Sequence, residues 1–207
     1  MLKLVNISKN FGARRLLCDI NVTLTPASIT ILSGPNGSGK TTLLKIMAGL
    51  TNPTSGEIIL AKETRLAYVG HATCLYPQLS ALENLNFWRR AYNLSLSEDD
   101  LEKLLEDFGL GAAIDVPTRI FSRGMAQKLN LARAYMLKPN LCLLDEPTTG
   151  LDQSSQDLFQ SKLLQLKEKG AAIILITHSP KECTFADAGF YLEQGRLMPM
   201  EGQCQAL

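Results

Sequence analysis

The octapeptide Gly34-Pro35-Asn36-Gly37-Ser38-Gly39-Lys40-Thr41 constrains this chain more than any other stretch. It satisfies the pattern G-x-x-x-x-G-K-[ST]. With Gly at about 7% of average composition, a chance match in a chain of this length arises about once in a hundred cases. The flanking residues supply the context that the pattern needs. Ile29-Thr30-Ile31-Leu32 is a short β-branched run, expected as a buried strand. Leu43, Ile46, Met47 and Leu50 then recur at i, i+3, i+4 and i+7, one helical face. A strand must therefore turn through the glycines into a helix. Glycines let successive N–H groups curl around a phosphate, which also lies at the positive end of that helix. Lys40 supplies a point charge to β- and γ-phosphate oxygens, and the Thr41 hydroxyl can ligate Mg²⁺. Gly34 to Thr41, with Thr42 beside them, are the candidate nucleotide-binding residues.

A second string suits the same chemistry. Leu141-Cys142-Leu143-Leu144-Asp145-Glu146 is an apolar run that ends in adjacent carboxylates. Neighbouring strand residues point to opposite faces, but a turn past the strand end can aim both acids at a phosphate site. Asp145 would hold Mg²⁺, directly or through water, and Glu146 would orient or deprotonate the attacking water as general base. Taken alone, such a string also fits an Asp that caps a helix. Beside the glycine loop it reads as the metal and base pair of a hydrolase acting on nucleoside triphosphates. The guanine-reading string Asn-Lys-x-Asp does not occur.

The pattern along the chain predicts an α/β fold. Ile20, Val22 and Leu24 alternate with polar residues as a half-buried strand does. Further strands are expected at Glu57–Leu60, Leu66–Val69, Leu141–Leu144 and Ala171–Ile176. The last two are nearly continuous apolar runs, as parallel strands covered on both faces are. Ser97 can cap a helix with Glu98, Asp99 and Asp100 in its first turn, Leu101, Leu104, Leu105 and Phe108 on its apolar face, and Gly109 as its stop. From about Leu79 to Leu137 the sequence reads as helix without a strand, including a helix over Ala126–Leu137. A helical lobe thus interrupts the α/β core. Phe190–Leu197 reads as a hairpin around Gln194-Gly195, and Gly202–Leu207 is expected to fray.

Composition narrows the class of chain. Its 207 residues suffice for one domain with a real core, and 45% hydrophobic residues exclude a disordered chain. A net charge of +1 provides no basic field for nucleic acid. The longest uncharged stretch, Ile20 to Gly39, carries Asn21, Pro26, Pro35, Asn36 and several glycines, which hydrocarbon rejects. No signal-peptide or lipidation pattern is present. Cysteines 18, 74, 142, 183 and 204 are odd in number with no C-x-x-C spacing, so neither a disulfide framework nor a zinc site is expected, and a reducing compartment fits.

Over almost its whole length the sequence resembles the nucleotide-binding subunit of an ATP-binding-cassette (ABC) transporter. Phe121-Ser122-Arg123-Gly124-Met125-Ala126-Gln127 is similar to the family's signature, usually Leu-Ser-Gly-Gly-Gln, and stands about twenty residues before the acids. Asp145-Glu146-Pro147-Thr148-Thr149-Gly150-Leu151-Asp152 is similar to its Walker B and D-loop string. His178 follows a predicted strand where the family keeps a switch histidine, and Phe11 stands where an aromatic stacks on adenine. The resemblance implies a P-loop NTPase core with a mainly parallel sheet, an N-terminal antiparallel β portion and the inserted helical lobe. It implies a single ABC ATPase domain over residues 1–207, with a helical subdomain at about 79–137. It also implies ATP hydrolysis with ATP and Mg²⁺, a head-to-tail homodimer, an integral-membrane permease as partner, and no nucleic acid. Each ATP would touch Lys40 and Thr41 of one chain and Ser122 and Gly124 of the other. The expected location is peripheral, on the cytoplasmic side of the inner membrane.

Two departures stand out. Arg123 and Met125 occupy signature positions usually held by Gly and Gln, while Ser122 and Gly124 are kept. The Q-loop glutamine is expected after Tyr68-Val69, where this chain has Gly70-His71. A neutral imidazole at His71 can accept from a Mg²⁺-bound water or bridge to the γ-phosphate. Val69-Gly70-His71 and the segment Leu79–Trp88 are similar to the haem-exporter ATPase of bacterial cytochrome c maturation, and the short chain agrees with that subfamily. Other exporters of the ABC-2 type for drugs or lipids, and a soluble cassette acting without a permease, remain as alternatives. Phe87 is expected in the core of the helical lobe, although Tyr76, Phe87 and Trp88 lie in the segment that faces the permease by resemblance. Arg133 is expected in a structural ion pair.

Overall fold

The structure is a computed structural model and describes residues 2–177 and 179–200. His178 and the Gly202–Leu207 segment, for which expectations stand above, lie outside the described residues. Strands β1 (Leu2–Phe11), β2 (Arg14–Thr23) and β4 (Ser55–Leu60) form an antiparallel sheet in the order β2-β1-β4. Strands β3 (Ser28–Ser33), β5 (Leu66–Val69), β6 (Leu141–Asp145), β7 (Ala172–Ile176), β8 (Ala188–Glu193) and β9 (Arg196–Pro199) form a second sheet in the order β5-β6-β7-β3-β8-β9. All its neighbours are parallel except β8 and β9, the expected hairpin.

Burial of the central strands on both faces explains their uninterrupted apolar sequence. Every residue of β3, β6 and β7 is buried. Leu32, Leu141, Leu143, Ile174 and Ile176 pack towards the antiparallel sheet and helix α1 (Lys40–Met47). Their neighbours Ile31, Cys142, Leu144, Ile173 and Leu175 pack on the opposite side, with residues of helices α4 (Arg123–Tyr135) and α5 (Gln153–Glu168). Burial pushes the Cys142 thiol up to about 12, so it behaves as a small hydrophobe. Leu50 departs from the predicted helical face and is 61% exposed. The helix ends at Met47, and Gly49 turns to φ +70, which carries Leu50 away from the core.

Between β5 and β6 lie helices α2 (Ala81–Ala91), α3 (Glu98–Asp107) and α4, with 3₁₀ turns at Gly111–Ala113 and Thr118–Ile120. Ser97 and Asp100 form a reciprocal capping box at the start of α3, and Leu101 and Leu105 are fully buried. Helix α4 begins three residues before the predicted Ala126, because Ser122 caps it by accepting from the Met125 N–H. Phe87 corrects another expectation: it is 40% exposed and packs at a tilt against Tyr76, with a centroid distance of 4.4 Å. Its position on α2 faces away from the buried Ala81, Leu82, Asn84 and Leu85.

A buried amide holds the entry to this helical segment. The Asn84 side chain accepts from the Tyr76 N–H and donates to the carbonyls of Tyr76, Leu79 and Ser80. Asn84→Ala leaves those backbone groups without that partner, and the expected loss is about 1–3 kcal/mol. Urea unfolding reads this as a lower midpoint at unchanged slope; an unaltered midpoint contradicts the assigned role.

Candidate functional site

The turn from β3 into α1 shows why the loop is glycine-rich. Gly34 has φ +143, and a Cβ there would lie 2.1 Å from the Leu192 carbonyl oxygen. The hairpin thus presses on the loop from behind, leaving no space for a side chain. Gly39, at φ +111, is the N-cap residue of α1 and makes no side-chain cap bond, so the first N–H groups of the helix stay available for an anion. Pro35, Asn36 and Gly37 are exposed, while Ser38, Thr41 and Thr42 are half-buried. The Lys40 ammonium is buried and donates to the Gly34 and Pro35 carbonyls at 2.7 and 3.0 Å. The Arg14 guanidinium donates to the Gly37 carbonyl at 3.1 Å, which secures the loop to the start of β2.

Two acids face this lysine. Burial pushes the Lys40 ammonium below its ordinary value, while the Glu146 and Asp145 charges oppose that shift. Asp145 is the last residue of β6 and is only 1% exposed, and neither carboxylate oxygen has a hydrogen-bond partner among the described residues. A carboxylate so placed is costly to bury unless a cation or water completes it. Among the described residues no three His, Cys, Asp or Glu side chains cluster as a metal cage. The unpartnered Asp145 carboxylate is a hard oxygen donor of the kind that would suit a small cation such as Mg²⁺, with a hydroxyl, phosphate oxygens and water to complete its shell.

Glu146 follows at φ +49, a backbone conformation that side chains rarely adopt and that recurs at functional sites. Its N–H still donates to the Ile176 carbonyl, and Thr149 donates to its backbone and side-chain oxygens at 3.3 and 3.4 Å. On the other side, His71 Nε2 lies 3.7 Å from Asp145 Oδ2. Lys40, Asp145, Glu146 and His71 therefore converge where β3, β5 and β6 end. Tyr68 adjoins them: burial first, and the Asp145 charge second, push its hydroxyl up to about 12.

The other candidates lie around this cluster. Phe11 is exposed and pairs with Arg14 across the β1–β2 turn, so the Arg14 bond to Gly37 brings that turn beside the loop. Ser122 and Gly124 are at the start of α4, and the described hydrogen bonds do not join them to the 34–41 loop. Their neighbour is the turn after Glu146: a Cβ on Gly124 would lie 3.2 Å from the Gly150 carbonyl oxygen, and the Arg123 side chain covers Gly150. Sequence reasoning missed Gln127, a buried amide that donates to the Pro147 carbonyl at 2.7 Å. It also missed the part played by Arg133. The available signal was the run of polar residues Gln127, Asn130 and Arg133, spaced by three within a buried helix.

A family model described as ABC transporter matches residues 17–149. The "Cytochrome c biogenesis ATP-binding export protein CcmA" of Ruegeria pomeroyi is 38% identical over 167 residues, which cover 81% of this chain and 79% of that protein. The "Nod factor export ATP-binding protein I" of Cupriavidus metallidurans is 33% identical over 215 residues, covering 95% of this chain and 71% of that protein. A solved dimeric structure of a post-hydrolysis ATP-binding cassette, bound to ADP and Pi, matches with a TM-score of 0.85 at 26% identity, over 98% of this chain and 100% of that one.

Two glycine substitutions separate steric from conformational need in the loop. Gly34→Ala drives a methyl into the Leu192 carbonyl and is expected to abolish nucleotide binding and lower the melting temperature. Gly37→Ala meets no atom within 4 Å and carries only the strain of φ +76, about 1–2 kcal/mol. Titration with a fluorescent ATP analogue, with melting curves alongside, should rank the two in that order. Equal effects contradict the geometry.

Proposed function

The chain belongs to the ABC transporter family as an ATP-hydrolysing subunit, and we propose that two copies close head to tail around two ATP molecules to drive an export permease. The observation that carries this reading is the convergence of Lys40, Asp145, Glu146 and His71 at one end of the parallel sheet. The N–H groups of the Gly34–Thr42 loop and the Lys40 ammonium hold the β- and γ-phosphates, which draws Lys40 off the loop carbonyls. Thr41 and Asp145 would hold Mg²⁺, which when bound would neutralise negative charge developing on the phosphates. Glu146 orients the attacking water and takes its proton, while His71 and His178 act on the γ-phosphate side. Phe11 stacks on the adenine. Ser122 and Gly124 of the second copy complete the site from the N-terminus of α4, whose dipole suits the γ-phosphate. ATP then binds the closed dimer better than the open one, and hydrolysis removes that preference.

For the cargo we favour haem export in cytochrome c biogenesis, supported by Val69-Gly70-His71 and by the CcmA relative of Ruegeria pomeroyi. A relative named for Nod factor export matches at 33% identity, which keeps a different exporter as the second reading. No helix among the described residues is long and apolar enough to cross a membrane. In this reading the chain acts on the cytoplasmic face, docked on the permease. Co-purification from detergent-solubilised membranes tests this: a multi-span partner with cytochrome c maturation proteins is expected, whereas ribosomal protein or DNA in its place contradicts the reading.

The catalytic assignments make separate predictions. Glu146→Gln should retain ATP binding, lose at least about a hundredfold in turnover, and accumulate an ATP-bound dimer on size exclusion. A monomer under saturating ATP removes Glu146 from the role of base. Chelation of divalent cations should stop hydrolysis, and Asp145→Asn should raise the Mg²⁺ concentration needed for half-maximal rate. An unchanged requirement contradicts Asp145 as a ligand.

A further inference from the structure

Arg133 is 6% exposed, yet no carboxylate lies within ion-pairing distance of it among the described residues. The ion pair expected from the sequence is replaced by neutral partners. Its guanidinium donates to Asn130 Oδ1 at 2.9 and 3.3 Å, to the Tyr92 hydroxyl at 2.8 Å and to the Tyr68 carbonyl at 3.3 Å. Its Cζ also lies 5.0 Å from the centre of the Trp88 ring. A cation buried without a counter-charge is costly, and a planar fork that both donates to carbonyls and stacks on a ring is a task for Arg and not for Lys.

These partners belong to three elements, and two of them lead into the site. Tyr68 is in β5, beside Leu143 of β6, so its carbonyl bond to Arg133 holds the strand end from which Gly70 and His71 continue. The Tyr68 ring fills the space at Gly70, where a Cβ would lie 2.6 Å from its hydroxyl. Trp88, stacked on Arg133, donates through Nε1 to the Cys74 carbonyl at 3.2 Å. The segment carrying His71 is thus held at both ends, by Arg133 at Tyr68 and by Trp88 at Cys74. The outer end of this aromatic series, Tyr76 and Phe87, is exposed.

We propose that Arg133, acting with Trp88, is a positioning residue that holds His71 against Asp145 during ATP hydrolysis. The inference rests on the functional reading above, in particular on His71 acting at the γ-phosphate. It adds that the placement of His71 is set from α4 and α2, and not by the 70–75 segment itself.

A kinetic double-mutant cycle on the purified full chain tests it. Arg133→Lys is expected to lower kcat for ATP about tenfold, with KM changed less than about twofold, as loss of an orienting partner does. In a His71→Ala background the same substitution is expected to cost little more, because the group it positions is gone. Trp88→Phe keeps a ring but removes the N–H to Cys74, and should show the same pattern with a smaller loss; it carries the test if Arg133→Lys does not fold by circular dichroism. Additive losses in the double variant, or full activity in the single ones, overturn the proposal. Glu146→Gln run in parallel distinguishes the two levels: full turnover there refutes the catalytic reading itself, whereas lost turnover there with additive Arg133 and His71 effects refutes only the positioning role.

Discussion

A buried ammonium set against two carboxylates is the interaction on which the site depends. Lys40 loses hydration on burial, and the charges of Glu146 and Asp145 recover part of that loss. Burial strengthens this attraction, because in water the same charges would be screened and the side chains free to separate. The floor that excludes water on the core side is β3, β6 and β7, buried on both faces between two layers of apolar side chains. The C-terminal ends of β3, β5 and β6 are where side chains emerge from the core, so that is where Lys40, Asp145 and His71 meet. Ligand sites at that end of an open parallel sheet are a general outcome of this architecture.

Polar side chains do the joining where apolar packing stops. Gln127 connects α4 to the turn after Glu146, Asn84 gathers the carbonyls ahead of α2, and Arg133 ties α4 to β5 and α2. Apolar contact is non-directional and tolerates small slips, whereas a hydrogen bond specifies one register at each joint. The start of α4 and the turn 147–150 consequently lie side by side: a Cβ on Gly124 would lie 3.2 Å from the Gly150 carbonyl oxygen, and the Thr149 hydroxyl donates to the Glu146 carboxylate.

Much of the fold was legible because its signals are local. The predicted strand at Leu66–Val69 agrees to the residue, and the hairpin turn at Gln194-Gly195 has both residues at positive φ, as a two-residue turn requires. The capping box at Ser97 likewise depends on residues within one turn. Errors fell where a boundary or a neighbour mattered. Leu50 kept the helical spacing but stood beyond the end of α1, and α4 began earlier than its apolar run because a cap, not hydrophobicity, sets the start.

The phosphate loop, the acids after β6 and the parallel core can be read without coordinates, since each is written in contiguous residues whose backbone demands are short-range. Packing between distant segments, by contrast, settles that Phe87 faces outward, that Gln127 reaches Pro147, and that Arg133 sits among neutral partners. Periodicity shows which face of a helix is covered and says nothing of what covers it. Arg133 and the Tyr68 carbonyl are 65 residues apart, and Gln127 and Pro147 are 20 apart. Such pairs meet only after the sheet and helices have packed, and their chemistry is therefore a property of the assembled fold.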